Sequence, residues 1–351
     1  LPDPVETIDP AQGGSPQDYF DSTLWVGTTS TASVIDDLSF QPDWVWIKER
    51  SSTSGHGFID SVRGVSNVLF SNLTDAEATS QNWLASFDSN GFTTGASNNG
   101  SNQLDETYVA WNWKAGGSGS SNTDGTINTT ATSVAAHGGF SISTYTGTGS
   151  NATVGHGLST NPIFVMTKRR NSIENWVIGS KTLGTGFTGR ILFDVNEAWA
   201  DTTAQWRDTD PSSTVVTIGT HNSVNGSSDT YVMYCFANVD GMQKIGAYTG
   251  NGSADGPFVY TGFRPAFVMI KKTSATEHWA IWDVTRSVFN PMELYLLPSL
   301  SNAEADPGNI DIDVTANGFK IRNTWTGYNA SGATYIYMAF AEQPFKYANA
   351  R

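Results

Sequence analysis

The sequence predicts an all-β protein: three tandem β-sandwich repeats of jelly-roll or lectin-like type, each of about 100 residues. The composition points that way first. The 351 residues include 35 Gly, 12 Trp, 12 Tyr and 18 Phe, and only 15% are charged. Aromatic and β-branched residues favour short strands, and Gly, Ser, Thr and Asn favour polar turns between them. No long amphipathic helical pattern interrupts them. The second pointer is internal repetition, which sets the unit of folding. An aromatic stands two residues before a glycine at Trp25-Val26-Gly27, Tyr145-Thr146-Gly147 and Tyr248-Thr249-Gly250, and 17 positions after each aromatic comes Pro42, Pro162 or Pro265. The third is the strand-and-turn grammar that fills each copy.

After each proline the chain reads as a strand apolar on both faces, as in Trp44-Val45-Trp46-Ile47-Lys48, which implies a central strand covered on both sides. Its counterparts are Phe164-Val165-Met166-Thr167-Lys168 and Phe267-Val268-Met269-Ile270-Lys271. A second such strand closes each copy, at Thr107–Trp113, Thr230–Phe236 and Thr334–Phe340, and Asn102, Asn225 or Asn329 stands five residues before its threonine. Asp88-Ser89-Asn90-Gly91 and Thr315-Ala316-Asn317-Gly318 read as tight hairpin turns. Ile310, Ile312 and Val314 alternate with Asp311 and Asp313, as in a half-buried strand. The short Ala- and Glu-rich stretches 75–78, 197–200 and 303–305 read as a single helical turn in each copy.

These signals divide the chain into an extended Pro-rich arm (1–20), a first repeat (21–114), a Gly/Ser-rich linker (115–138), a second repeat (139–242), a third (243–345) and a short tail (346–351). The expectation is a rigid joint between repeats two and three and a hinge between one and two. Copies one and three are the more alike: an offset of 223 carries Asp60 onto Asp283 and Arg63 onto Arg286, while copy two has Ser180 and Leu183 there. The Asp–Arg pair reads as a structural ion pair that copy two has lost.

Charge excludes some partners. With 19 basic and 33 acidic side chains the net is −14, a poor match for nucleic acid, which needs clustered Lys and Arg. Lys168-Arg169-Arg170 reads as a solvated strand end. No apolar run is long enough for a membrane helix, so no membrane insertion is expected. The lone Cys235 cannot form an internal disulfide and reads as a small buried residue. The chain opens at Leu1, which leaves room for a leader or propeptide upstream.

No catalytic constellation emerges. His56, His137, His156, His221 and His278 do not recur at equivalent positions and lack metal-ligand spacing, and there is no nucleotide-binding fingerprint. Asp105/Glu106, Asp208/Asp210 and Asp311/Asp313 are acidic pairs that do not repeat across the copies, which argues against a glycan hydrolase and against a complete calcium loop. The expectation is therefore no catalytic residue, no metal and no cofactor. Glycan stacking needs exposed aromatics with amides nearby. Trp325 and Tyr328, in the loop Asn323–Asn329, offer that in copy three, as do Trp199 and Trp206 in copy two.

Pro42–Lys48, Asp60-Ser61-Val62-Arg63-Gly64 and Tyr108–Lys114, with Asp18-Tyr19-Phe20 ahead and Ser86–Phe92 between, resemble a repeat of structural proteins from tailed bacteriophages. The likeness is close over copy one; copies two and three keep only the two strand motifs and the glycines. It implies a virion component with a lectin-like sandwich fold, displayed on tail or head, and carries no catalytic residues. The resulting expectation is a non-enzymatic virion surface protein, either tail-fibre-like or capsid decoration. It would be anchored to other virion proteins by its N-terminal arm, form a homo-oligomer and adhere to host surface glycan through multivalency. Two alternatives stand beside it: a glycan depolymerase, and a secreted bacterial adhesin.

Overall fold

The computed structural model describes residues 15–29, 31–96, 100–184 and 186–342. Most of the expected N-terminal arm and the whole of the expected tail lie outside them. In the first repeat the strands are β1 (Phe20–Val26), β2 (Val34–Ile35), β3 (Trp44–Glu49), β4 (Gly57–Asp60), β5 (Leu69–Phe70), β6 (Leu84–Asp88), β7 (Gly91–Thr94) and β8 (Thr107–Trp113). The second holds β9 (Ala131–Val134), β10 (Phe140–Thr146), β11 (Ala152–Gly155), β12 (Phe164–Arg169), β13 (Val177–Ser180), β14 (Gly189–Leu192), β15 (Ala200–Asp201), β16 (Val215–Ile218) and β17 (Thr230–Phe236). The third holds β18 (Gln243–Thr249), β19 (Phe258–Tyr260), β20 (Pro265–Lys272), β21 (Ala280–Asp283), β22 (Ile312–Thr315), β23 (Gly318–Ile321) and β24 (Thr334–Ala341). Two four-residue helices, α1 (Asn222–Asn225) and α2 (Thr326–Asn329), precede the closing strands β17 and β24. The protein is all-β, and every ladder between these strands is antiparallel.

The larger sheets share one order. β1-β8-β3-β4, β10-β17-β12-β13 and β18-β24-β20-β21 correspond strand for strand, and β5, β9, β14 and β15 extend two of them. Smaller sheets, β2-β7-β6, β11-β16 and β19-β23-β22, accompany them. The two-residue hairpins form where the sequence placed them, with Asp88 opposite Gly91 and Thr315 opposite Gly318.

Two-sided apolar strands follow from two kinds of core. Trp44 and Trp46 of β3, Phe164 and Met166 of β12, and Phe267 and Met269 of β20 all enter one central cluster, joined by alternate residues of β8, β17 and β24. The intervening residues, Val45 and Ile47, Val165, and Val268 and Ile270, face three separate clusters, one in each repeat. In the central cluster Trp44 stacks on Trp113 at 4.2 Å and on Tyr234 of the second repeat at 4.8 Å, and Phe20 stacks on Phe340 of the third at 4.6 Å. Each fully buried aromatic contributes about 2–3 kcal/mol of transfer free energy, and none of the repeats owns this core alone. Repeats one and two are therefore packed together, and the expected hinge does not occur.

A polar staple recurs in each copy. Asn102, Asn225 and Asn329 are fully buried. Their Oδ1 atoms accept the backbone N–H of Thr28, Thr148 and Asn251 at 2.8, 2.7 and 2.9 Å. Their Nδ2 atoms donate to Gly95, Gly219 and Asn323 carbonyls at 3.1, 2.9 and 2.7 Å. The glycine just before each stapled residue is obligatory: a β-carbon on Gly27, Gly147 or Gly250 would overlap the facing backbone carbonyl. That close approach is the reason for the aromatic-x-Gly signature.

Several local expectations are corrected. Residues 115–138 are no free linker: β9 pairs with β10, and Ile127, Thr129 and Ala135 are buried. The β-forming Thr-rich run 129–133 finds an open sheet edge there. The stretches 75–78, 197–200 and 303–305 are not helical. They run extended and bridge neighbouring repeats, so tertiary pairing overrides the helical preference of Ala and Glu. Lys168-Arg169-Arg170 is not a solvated end. Lys168 is fully buried, Arg169 pairs with Asp229 at 2.6 Å, and Arg170 pairs with Glu77 at 2.7 Å.

Candidate functional site

The three repeats close a ring through three equivalent seams. Each seam is a pair of backbone hydrogen bonds between a strand-following loop of one repeat and the end of a central strand of the next. Between repeats one and two, Glu77 N–H donates to Arg170 O (2.7 Å) and Glu174 N–H to Thr74 O (2.9 Å). Between three and one, Glu304 N–H donates to Arg50 O (2.8 Å) and Ser54 N–H to Ser301 O (2.9 Å). Between two and three, Trp199 N–H donates to Thr273 O (3.0 Å) and Glu277 N–H to Asn196 O (2.8 Å).

Two seams carry the same buried ionic group. Arg63 Nε donates to Asp60 Oδ2 at 2.6 Å, Nη1 to Glu77 Oε2 at 2.8 Å and Nη2 to Phe58 O at 2.8 Å. Arg170 takes the other oxygen of Glu77, and Tyr234 O–H donates to Asp60 Oδ2 at 2.6 Å. The second group repeats this contact for contact. Arg286 binds Asp283 (2.5 Å), Glu304 (2.9 Å) and Ile281 O (3.0 Å), Arg50 grips Glu304 (2.7 Å), and Trp111 Nε1 donates to Asp283 (3.0 Å). Side chains of both Asp–Arg pairs are wholly inaccessible. Burial works against the charge on Glu77, yet Arg170 and Arg63 hold its pKa below the ordinary carboxylate value. Arg50 and Arg286 do the same for Glu304 against the same opposition. Buried charges survive here because each has partners on every side.

The seam between repeats two and three has none of this. At the five corresponding positions stand Ser180, Leu183, Trp199, Thr273 and Met338. None of these positions carries a charge, and three of them, Leu183, Trp199 and Thr273, line a cleft of about 540 Å³. Trp199, half-buried, forms one wall; its indole rests on Gly184 and Gly189, where a β-carbon would lie 2.9 Å from Cζ2 and 2.5 Å from Nε1 respectively. The stacked pair Tyr248–Tyr335 (4.8 Å between ring centroids) backs the opposite wall. Exposed Thr249, Ser274 and Thr334 lie on its rim. Burial and the neighbouring tyrosine raise the pKa of Tyr248, so both rings are neutral across the physiological range.

Of the four aromatics expected to stack on glycan, the structure leaves two with open faces. Trp199 lines this cleft, and Trp325 is 44% exposed beside α2. Trp206 is wholly buried in the core of the second repeat, edge-on to Phe187 at 5.7 Å. Tyr328 is also buried, packed edge-on against Trp282 at 5.3 Å while its carbonyl accepts Tyr248 O–H. Both serve packing, so neither presents a stacking surface. Sequence reasoning missed Gly184, Thr273, Ser274 and Thr334. The one available signal was the loss of the Asp–Arg pair in copy two, and it did not show which distant residues would face that gap.

The acidic pairs do not converge on a groove. Asp210 lies 3.4 Å from Lys181 and Asp313 3.2 Å from Arg322, while Glu106 accepts the Ser51 hydroxyl. Among the described residues no three His, Cys, Asp or Glu side chains gather to hold a metal ion, and no helix is long and apolar enough to cross a membrane. His56, for one, is fully buried with Nδ1 accepting Trp46 Nε1–H at 3.0 Å.

No curated protein matches the chain, and neither does any solved structure. One family model does, over residues 15–344, a span that takes in all three repeats and all three seams as a single unit. The protein thus belongs to the DUF7483 family, a domain of unknown function.

Proposed function

We propose that this is a non-enzymatic phage virion protein, displayed on the particle surface, whose work is adhesion through weak binding of host glycan. In this reading each repeat is a small lectin-like β-sandwich, its larger sheet backed by its smaller one. The strand neighbourhoods β1-β8-β3 and β2-β7, which place strands distant in sequence side by side next to the sequential pairs β3-β4 and β6-β7, support a jelly-roll-like origin. The N-terminal arm anchors the protein to other virion proteins, and oligomerisation multiplies weak contacts into useful avidity.

The observation that carries the reading is the uncharged aromatic cleft held between two repeats of a body with a common core. Rigid walls lower the ordering cost of binding, and an aromatic face with neutral hydroxyls around it suits a sugar. The test is a mass-spectrometric inventory of purified virions, with copy number set against the major capsid protein. Hundreds of copies would mean capsid decoration, and a few to a few tens a tail position. Absence from particles would sink the virion assignment. Release of shortened glycan from an incubated polysaccharide would favour the depolymerase instead.

A further inference from the structure

Resting on the adhesion reading, we propose that the cleft between repeats two and three is the specific saccharide site, and that it takes an uncharged sugar ring stacked on Trp199. Three features of the same seam point to this. The first is its origin: it is the only one of the three seams whose five ionic-network positions are all uncharged, so a wall that elsewhere is filled by Glu77 with Arg170, or Glu304 with Arg50, is here indole and threonine. The second is the indole's footing. Gly184 and Gly189 remove the β-carbons that would push Trp199 off the wall. The third is the rim, whose Thr182, Thr249, Ser274 and Thr334 supply neutral donors and acceptors and no charge.

Those features select among ligands. A sugar ring offers an apolar C–H face to the indole and hydroxyls to the rim. The rim hydroxyls of Thr182, Ser274 and Thr334 each have one partner within the protein, in Ser180, the Thr334 N–H and Thr273 respectively, and keep capacity for a further bond, which a sugar hydroxyl uses and an acyl chain does not. A phosphorylated or carboxylated ligand would meet no cation among the lining residues, and would forfeit its hydration without return. Charge at this seam is therefore selected against in the ligand, as it is absent from the wall.

The experiment uses the full chain, titrated with neutral β-glucan, mannan and galactan oligosaccharides and with acidic polygalacturonate fragments, and followed by calorimetry and tryptophan fluorescence. We expect millimolar-range binding of at least one neutral oligosaccharide, about tenfold weaker in Trp199→Ala, retained in part by Trp199→Phe and unchanged in Trp325→Ala. Acidic fragments are expected not to bind. A variant carrying the ionic set of the other seams (Ser180→Asp, Leu183→Arg, Trp199→Glu, Thr273→Arg, Met338→Trp) should fill the cleft and abolish binding. Should that variant not fold, Ser274→Trp blocks the exposed mouth from a surface position and is expected to do the same. Sugar binding that survives a blocked cleft overturns the proposal, as does preference for the acidic fragments. Binding lost in Trp325→Ala but kept in the Trp199 variants would also overturn it while leaving adhesion itself standing. If no saccharide binds a protein that is present on particles, the cleft proposal and glycan adhesion both fall, and display alone remains.

Discussion

Exchanging Asp60 and Arg63 for the residues that copy two carries, Ser and Leu, should be no more damaging than changing either one alone. Asp60 accepts Arg63 Nε–H at 2.6 Å, the Arg63 backbone N–H at 2.8 Å and the Tyr234 hydroxyl at 2.6 Å, with both charged side chains wholly inaccessible. In Asp60→Ser the Arg63 guanidinium stays buried with one carboxylate, Glu77, in place of two, beside the Phe58 and Asn67 carbonyls and the Tyr234 hydroxyl, and breaking one member of a buried pair costs about 3–5 kcal/mol. Arg63→Leu strands the Asp60 carboxylate by the same logic. The double change removes both charges and leaves Glu77 still held by Arg170, so its cost should be no larger than that of either single change. The coupling energy is then at least about 3 kcal/mol in a double-mutant cycle. Urea denaturation of the four proteins, followed by tryptophan fluorescence, measures it. Singles that add to within about 0.5 kcal/mol would refute the reasoning, because they would show that neither charge depends on the other.

Two further perturbations test other parts of the ring. Burial lowers the pKa of Lys48, Lys168 and Lys271 to about 8; unfolded lysines keep their protons to about pH 10.4, so stability should rise with pH through the window between those values, by about 1 kcal/mol per lysine from pH 8 to 9. Denaturation midpoints at pH 7, 8 and 9 measure this, Lys168→Met should flatten the slope by roughly a third, and a flat profile in the unmodified chain would contradict the burial argument. Asn225→Ala should cost about 3 kcal/mol, since it leaves Thr148 N–H and the Gly219 carbonyl without their buried partner; exposed Asn151→Ala, compared in the same denaturation assay, should stay within about 0.5 kcal/mol.

Much of the architecture was legible because each repeated signal has a local cause. The aromatic-x-Gly pattern records a backbone contact at Gly27, Gly147 and Gly250, and the asparagine before each closing strand records the staple that holds the same turn. Double-sided strands such as Trp44–Ile47 announced cover on both faces, although not that one cover would be shared by all three repeats. What escaped was set by contacts between repeats. The Ala- and Glu-rich stretches read as helical by propensity and became seam bridges, because a neighbour offered free carbonyls at Arg50, Arg170 and Thr273. Trp206 and Tyr328 sit in polar segments yet point inward. Trp199 could be picked out as an aromatic, but its setting depends on Thr273 and Ser274, which belong to the next repeat.

Joining three repeats in one chain has a consequence for how such a ring can change. In a ring of three identical subunits any substitution appears at every interface at once, and a buried charge removed from one is removed from all. Here each seam is encoded separately. Repeat one carries both an outgoing Glu77 and an incoming Arg50 and so stays bonded by ion networks to both neighbours, while the junction opposite it is relieved of that duty. A covalent connection thus lets a single interface trade cohesion for chemistry, with the other two left to keep the body closed.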